Sequence, residues 1–262
     1  MGGTSPDIGR NTSALQHAIS FLIETRGVGI GRESYARRVH THHVAIASLL
    51  NITADNAPQV MNTVRSARSA VAQGGARANE IVVTSKNPLV AQKLAMRDPQ
   101  SGELLQVDVE WDDSLVAQPE LVRKRPFAYV MPPSYGDVAR RLAYSGVEVR
   151  RLHQPLTIEV ETYQVTDKRA GNTFYEGHIR NAVTTEVVAK PLTLAAGSYV
   201  YTMTQPNANI VAVALEPESP SSFVTFGIIP VDRKGAGGAP SEVPVYRLMQ
   251  PFALDARLIE RE

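Results

Sequence analysis

A single carboxylate, Glu24, stands at the end of an apolar run in the stretch FLIETRGVGIG, residues 21–31. A carboxylate at the mouth of a sheet can take a proton from an attacking water and later pass it to a leaving group. The glycines that follow allow the backbone to turn sharply. An ordinary ion pair with Arg26 is the alternative, because structural ion pairs far outnumber catalytic bases. The residue types alone leave both open.

The elements around Glu24 must position it. The apolar residues before it predict a short β-strand over 18–24, with Leu22 on the same face as Glu24 because side chains alternate along a strand. Helical spacing of apolar residues predicts two helices after the glycines, the first ending near Asn51 and the second running from Asp55 to Gly74. One strand with two helices cannot bury both faces of a sheet by itself.

The remainder of the chain is predicted to be rich in strands. Residues 76–125 mix short apolar pieces with turns and are interpreted as a connector of strands and loops. Residues 127–152 follow a strand, helix, strand pattern that predicts a small βαβ unit. Candidate strands of an antiparallel domain then follow at 156–165, 181–190, 197–205, 209–217 and 221–229.

Two parts of the sequence carry a family resemblance. The segment SFLIETRGVGIG, preceded by GGTSPDIGRN, resembles the end of the catalytic domain of M14-type zinc carboxypeptidases, and its E-T-R-G form is similar to the bacterial branch. The segments RPFAYVMPPSYGDVARRLAYSGVEVRRL and AAGSYVYTMTQPNANIVAVALEPESPSSFV are similar to the β-rich C-terminal extension of those proteins. The resemblance implies hydrolysis of C-terminal peptide bonds, with peptides as substrates.

The resemblance also implies roles for particular residues. Glu24 would be the catalytic carboxylate, Arg26 would support it, and Leu22 and Asp7 would border the substrate. The implied fold class is α/β plus all-β: one strand and two helices of an α/β/α carboxypeptidase sheet, a small βαβ unit and an antiparallel β-rich domain. The expected division is 1–75 for the end of the catalytic domain, 76–125 for the connector and 126–262 for the extension.

The zinc ligands of the family are not recognisable in this sequence. A catalytic zinc ion needs three protein ligands, which in this family come from an H-x-x-E pair and a later histidine. None of the six histidines has a glutamate three residues after it, and only 23 residues precede Glu24. We therefore expect the C-terminal part of a longer parent carboxypeptidase, with zinc in the intact parent and none bound to this chain, which would be inactive by itself. The alternatives are completion by a partner chain, or a non-catalytic β-rich binding module that retains an enzyme remnant.

The composition limits the classes of binding partner that are expected. The net charge of +1, without a basic block, argues against nucleic acid. The absence of cysteine excludes thiolate catalysis and disulfides. No apolar run reaches membrane-spanning length, so no membrane partner is expected, and the first 13 residues lack the features of a signal peptide. A periplasmic or secreted parent stays open. Self-association is expected, because a sheet with uncovered surface tends to associate.

Weaker patterns also carry chemistry. In HTHH, His40 and His43 share a helical face and could bind a metal, although helix packing and polar surface are favoured, because metal sites usually draw a third ligand. The stretch GVGIG resembles a phosphate-binding loop but lacks the lysine of a P-loop. Ser5, Asp7 and His17 could be drawn as a triad, although their spacing favours loop capping. The alternation in SYVYTMT indicates sheet packing, with a ligand groove on that sheet as the minor alternative.

Overall fold

Two long helices dominate the N-terminal part of the computed structural model, as the apolar spacing predicts. Helix α1 spans Gly9–Leu15, α2 spans Tyr35–Asp55 and α3 spans Ala57–Ala72. Proline lies in the first turn of α3, where its missing N–H costs no helical hydrogen bond. The structure describes residues 5–25, 27, 29, 31–74, 79–233, 241–252 and 255–258, so Arg26 lies outside the described residues.

The strand predicted over residues 18–24 is not formed, and this prediction is wrong. Residues 18–25 are irregular, and the side chains of Phe21 and Leu22 are 65% and 61% exposed. An isolated strand leaves its N–H and C=O groups without ladder partners, so it persists only beside another strand. No described strand pairs with this segment. The apolar run therefore has the composition of a strand without the neighbour that a strand requires.

Residues 80–124 form two antiparallel strand pairs. Strand β1 pairs with β4, and β2 pairs with β3. The side chains of Ile81 and Val83 on β1 are buried in the main core, so this segment packs onto the C-terminal sheet. The strands span Glu80–Lys86 for β1, Leu89–Arg97 for β2, Leu104–Asp112 for β3 and Gln118–Lys124 for β4.

A seven-stranded antiparallel sheet forms the centre of the C-terminal part, in the order β11-β6-β9-β5-β10-β7-β8. Strands β7 and β8 form its long hairpin, which contains the strands predicted at 156–165 and 181–190. The strand predicted at 197–205 is also formed, as β9. The strands span Ala128–Met131 (β5), Arg150–Leu152 (β6), Leu156–Tyr175 (β7), His178–Leu194 (β8), Tyr199–Thr202 (β9), Ser241–Leu248 (β10) and Ala256–Leu258 (β11).

The predicted strand, helix, strand order between 127 and 152 is confirmed. A short 3₁₀ turn over Pro133–Tyr135 and helix α4, Gly136–Tyr144, connect β5 to β6. Strand β9 lies between β5 and β6 and is antiparallel to both, so β5 and β6 run parallel with a third strand inserted. A pattern of local elements cannot reveal such an insertion, because β9 comes from much later in the chain.

Two other strand predictions are wrong. Residues 209–217 belong mainly to helix α5, Ala208–Leu215, because Ala208, Val211 and Leu215 lie on one helical face and are completely buried. Residues 221–229 form turns. There the backbone N–H of Thr225 donates to Ser222 Oγ over 2.9 Å, and Thr225 Oγ1 donates to the Ser219 carbonyl over 2.8 Å. Such local side-chain bonds compete with strand pairing.

Both faces of the seven-stranded sheet are buried. One core contains Tyr129 and Met131, and the other contains Ala128 and Val130, as alternation along β5 requires. The first core also receives side chains of β1 and α5, and Val71 of α3 packs against it. Within the described part of the chain, none of the helices combines the length and apolar character needed to cross a membrane.

Candidate functional site

Glu24 lies in the irregular segment before the glycines, with its side chain exposed. It has no recorded hydrogen bond or ion pair with another described residue. Its neighbour Thr25 is anchored instead, with Thr25 Oγ1 3.1 Å from His42 Nε2 on α2. The structure therefore places Glu24 at the surface beside the first turns of α2 rather than at the end of a strand.

A shallow pocket of about 440 Å³ lies between this segment and α2. Its lining includes Thr25, Tyr35, Arg38 and His42. The Arg38 guanidinium donates to the Gly31 carbonyl over 2.7 Å and lies 5.8 Å from the centre of the Tyr35 ring. The pocket thus contains the guanidinium of Arg38, the imidazole of His42 and the hydroxyl of Thr25, which is the residue after Glu24. These groups suit a ligand with an anionic group.

Gly27 explains how Arg38 reaches that position. A Cβ atom at Gly27 would lie 2.4 Å from Arg38 Nη1, closer than any real contact. A larger residue at Gly27 would therefore displace the guanidinium. The glycine-rich stretch serves packing on α2 at this residue, in addition to the turn that the sequence indicates.

Among the described residues, Asp7, Leu22 and Glu24 form no hydrogen bond or ion pair with one another. Leu22 is exposed, and without a strand no alternation assigns it to the face of Glu24. Asp7 accepts a hydrogen bond from Ser5 Oγ. Burial by itself would raise the pKa of Asp7, but hydrogen bonds from Ser5 and Tyr175 and the charge of Arg180 lower it overall. Asp7 is therefore tied to the β7–β8 hairpin, whereas the segment of Glu24 is tied to α2.

The histidines do not assemble into the sites that their spacing suggested. Among the described residues no group of three or more side chains could hold a metal ion. His17 Nε2 lies 2.7 Å from the Pro206 carbonyl, whereas the recorded side-chain partner of Ser5 is Asp7. His17 therefore lies against the C-terminal part, away from the Ser5–Asp7 pair. Helix α1 has no side-chain cap hydrogen bond at its N-terminus, so a capping role for Ser5 and Asp7 stays a prediction.

Sequence patterns missed a buried polar network centred on Glu216, whose exposed fraction is 1%. The hydroxyls of Tyr129 and Tyr163 donate to Glu216 Oε1 over 2.5 Å and 2.7 Å. Arg123 donates to Glu216 Oε2 over 2.8 Å. Arg247 Nε lies 3.9 Å from Glu216 Oε1. Four side chains from β4, β5, β7 and β10 thus converge on one carboxylate at the end of α5.

The network extends to the surface through a second carboxylate. Arg123 donates from both terminal nitrogens to Glu218, over 2.8 Å and 2.9 Å, and Glu218 also accepts from the N–H and hydroxyl of Thr185. Arg247 donates to Glu161 over 2.7 Å and to the Lys124 carbonyl. Every charge in the network therefore has an opposite charge beside it, which is the condition for burying charges.

The electrostatics of the network favour fixed protonation states. Burial raises the pKa of Tyr129 and of Tyr163 well above the usual value, and the negative charge of Glu216 raises both further. Burial by itself would lower the pKa of Arg123, but its bonds to Glu218 and the charge of Glu216 raise it overall. The tyrosines therefore stay neutral donors and the arginine stays charged, which suits a structural junction.

The one feature of the sequence that could have indicated this network is the charged residue at the end of an apolar run. Glu216 ends the run NIVAVAL, and the strand assigned to that run gave Glu216 no particular partner. Arg123 lies 93 residues away in the chain. No spacing rule connects residues so far apart, so only the folded chain reveals their pairing.

Comparison with known proteins gives a consistent result. The chain is 35% identical to carboxypeptidase 2 of Trichophyton rubrum over 246 residues, which cover 94% of this chain and 44% of that protein. Carboxypeptidase 2 of Trichophyton equinum is 34% identical over the same length. A probable carboxypeptidase 2 of Arthroderma benhamiae is 33% identical over 214 residues. The chain is related to carboxypeptidases.

The extent of this relationship bears on Glu24. The match leaves only 16 of the 262 residues outside its 246 residues, so a continuous match must include Glu24. The chain spans 44% of the length of the Trichophyton relatives. No family model matches the chain, and no solved structure is significantly similar to it. The resemblance to carboxypeptidases is confirmed at this level, through fungal relatives.

Proposed function

We propose that this chain is the C-terminal portion of a zinc-dependent carboxypeptidase of the M14 type, and that Glu24 is its general base. The observation that carries the proposal is the presence of Glu24, exposed and next to the pocket of Arg38 and His42, inside a segment related to carboxypeptidases over 94% of the chain. A general base must be open to a water and to the substrate. The bacterial origin suggested by E-T-R-G remains a prediction.

The proposed chemistry of Glu24 is proton transfer. The carboxylate takes a proton from the water that attacks the last peptide bond, and it returns a proton to the departing amine. The described residues do not form a three-ligand zinc site, so they do not fit a catalytic zinc ion. The proposal therefore assigns the zinc ligands to residues outside this chain, and it assigns no metal-dependent step to residues within it. By itself, the chain is expected to be inactive.

The test replaces one carboxylate in a longer parent protein that hydrolyses blocked C-terminal peptides. Glu24→Gln keeps the size of the side chain and removes the proton acceptor, so kcat/KM should fall by about 10²- to 10⁴-fold. Glu33→Gln is the matched control, because Glu33 is also exposed and lies nine residues further along the chain. It should leave the rate unchanged.

Metal content separates a chemical role from a structural one. Zinc bound per molecule, by elemental analysis, should be the same in Glu24→Gln as in the unchanged parent, since Glu24 is not proposed as a ligand. Near-normal turnover of Glu24→Gln with zinc bound would refute the general-base assignment. Stoichiometric zinc binding and peptide hydrolysis by this chain alone would refute the proposal that the zinc ligands lie outside it.

A second candidate function is a non-catalytic binding module. It is favoured by a cavity of about 760 Å³ that lies away from Glu24 and is lined by β1, α5 and residues of the buried network. Pockets of this size commonly hold ligands. The two functions are compatible, because a β-rich extension can bind a partner while another part of the enzyme performs hydrolysis.

A further inference from the structure

The large cavity follows the open edge of a strand. Six consecutive residues of β1, from Glu80 to Ser85, line it. Successive side chains of a strand point to opposite faces, so a cavity lined by consecutive residues runs along the edge of the strand rather than across one face. One edge of β1 pairs with β4, and no described strand pairs with the other. Such an edge can accept an added strand from another peptide.

The lining of this cavity includes an arginine, Arg125, that has no acidic partner among the described residues. The half-buried Arg125 lines the cavity, and its Nη2 donates to the carbonyls of Val71 and Met203 over 3.2 Å and 2.6 Å. Among the described residues no carboxylate lies within ion-pair distance of Arg125. The neighbouring acids Glu216 and Glu218 are already bonded to Arg123. The guanidinium of Arg125 therefore has donors to spare, and arginine binds carboxylates through two parallel hydrogen bonds.

Apolar side chains form the walls of the cavity. Ile81 and Val83 of β1 line it together with Ala212 and Val213 of α5 and Leu15 of α1. An apolar wall beside a strand edge suits a peptide with apolar side chains at alternate positions. The volume of about 760 Å³ is within the range of protein ligand sites.

We propose that this cavity binds the C-terminal end of an extended peptide, which pairs with the open edge of β1 and places its α-carboxylate on Arg125. The backbone of the peptide would supply the affinity, and Arg125 would select a free C-terminus over an internal segment. The site is separate from Glu24 and involves no hydrolysis, so it goes beyond the proposed function. A carboxypeptidase with such a site could hold one peptide end away from the reacting bond.

The primary test measures binding of a labelled apolar hexapeptide of alternating valine and threonine to the full 262-residue chain, by fluorescence polarisation. The peptide with a free C-terminal carboxylate should bind, and the C-terminal amide should bind at least about tenfold more weakly, as expected for loss of a charge-assisted hydrogen bond. An amide peptide that ends in aspartate tests whether a side-chain carboxylate can substitute. Equal affinity for free-acid and amide peptides, or no binding of either, would overturn the proposal.

Protein variants assign the effect to Arg125. Arg125→Gln should weaken binding of the free-acid peptide by at least about tenfold without changing affinity for the amide. Arg125→Lys retains the charge and should recover part of the lost affinity. Arg140→Gln on the exposed surface of α4 is the control, and it should bind as the unchanged chain does. If Arg125→Gln fails to fold, the lysine variant and the peptide pair still decide the matter.

A modified peptide tests the strand pairing without any change to the protein. Methylation of alternate backbone nitrogens removes the donors on one edge of the peptide, so one of the two methylation patterns should lose at least about tenfold in affinity. Equal binding of both patterns would refute pairing with β1. Mass spectrometry of the peptide after the assay shows whether it is intact, so that any hydrolysis is distinguished from weak binding.

Discussion

Replacement of Glu216 should be among the most destabilising single changes in the β-rich part of this protein. In Glu216→Ala, two buried tyrosine hydroxyls lose their acceptor, and Arg123 loses one of its carboxylate partners. A buried hydroxyl without a partner costs about 1–3 kcal/mol. Arg123 keeps Glu218, which limits the electrostatic loss. We expect the free energy of unfolding to fall by about 3–5 kcal/mol, the range for breaking a buried ion pair.

Comparison with glutamine divides this loss between hydrogen bonding and charge. Glu216→Gln keeps an oxygen that can accept from both tyrosines, but its amide group would point a donor towards a donor of Arg123. It should therefore cost about 1–3 kcal/mol, less than the alanine variant. The assay is urea unfolding of the full chain at neutral pH, followed by far-ultraviolet circular dichroism.

An exposed ion pair provides the control. Asp108 pairs with Lys93 over 2.9 Å on the β2–β3 hairpin, where the two side chains are 81% and 66% exposed. Asp108→Ala should change the free energy of unfolding by no more than about 0.5 kcal/mol, because water screens surface pairs. If Glu216→Ala were as mild as Asp108→Ala, the network would not be a stabilising junction and the argument from burial would be refuted.

Three further predictions concern the whole chain. Burial raises the pKa of Tyr129 and Tyr163 above the unfolded value near 10, so the stability that they contribute is present below about pH 10 and is lost as the pH rises above it. Urea unfolding between about pH 8 and pH 11 should show a loss of up to about 1.4 kcal/mol per pH unit for each tyrosine, and a flat profile would contradict this. A protein of residues 79–262 should have a higher urea midpoint than one of 125–262, which lacks β1 and β4 and their buried residues; equal midpoints would show that these strands add nothing. The exposed apolar residues of α2 should cause self-association in light scattering, reduced by Ile46→Lys, and a monomeric unchanged chain would count against it.

Local spacing in the sequence was sufficient for several elements. Helices α2 and α3 follow from apolar residues at helical intervals, and alternation predicts the parts of β7 and β8 at residues 156–165 and 181–190. Each of these patterns lies within one segment, so neighbouring residues alone express it. The resemblance to carboxypeptidases was also carried by contiguous segments, SFLIETRGVGIG near the start of the chain and two segments of the C-terminal part.

Tertiary structure decided the elements whose partners lie far away in the chain. The segment before Glu24 has strand composition but no strand beside it, and the run ending at Glu216 forms a helix because one of its faces packs on the sheet. Likewise, β9 lies between β5 and β6 in the sheet, although 46 residues separate the end of β6 at Leu152 from the start of β9 at Tyr199.

The candidate sites divide in the same way. The sequence identified Glu24 as a carboxylate of interest from its own neighbours, whereas Arg125 and the Glu216 network drew no attention. Their significance depends on which charges are paired and which are left over once the chain has folded. A strand edge without a partner, or a guanidinium without a carboxylate, is defined by distances between remote residues, and a linear pattern contains no such distances.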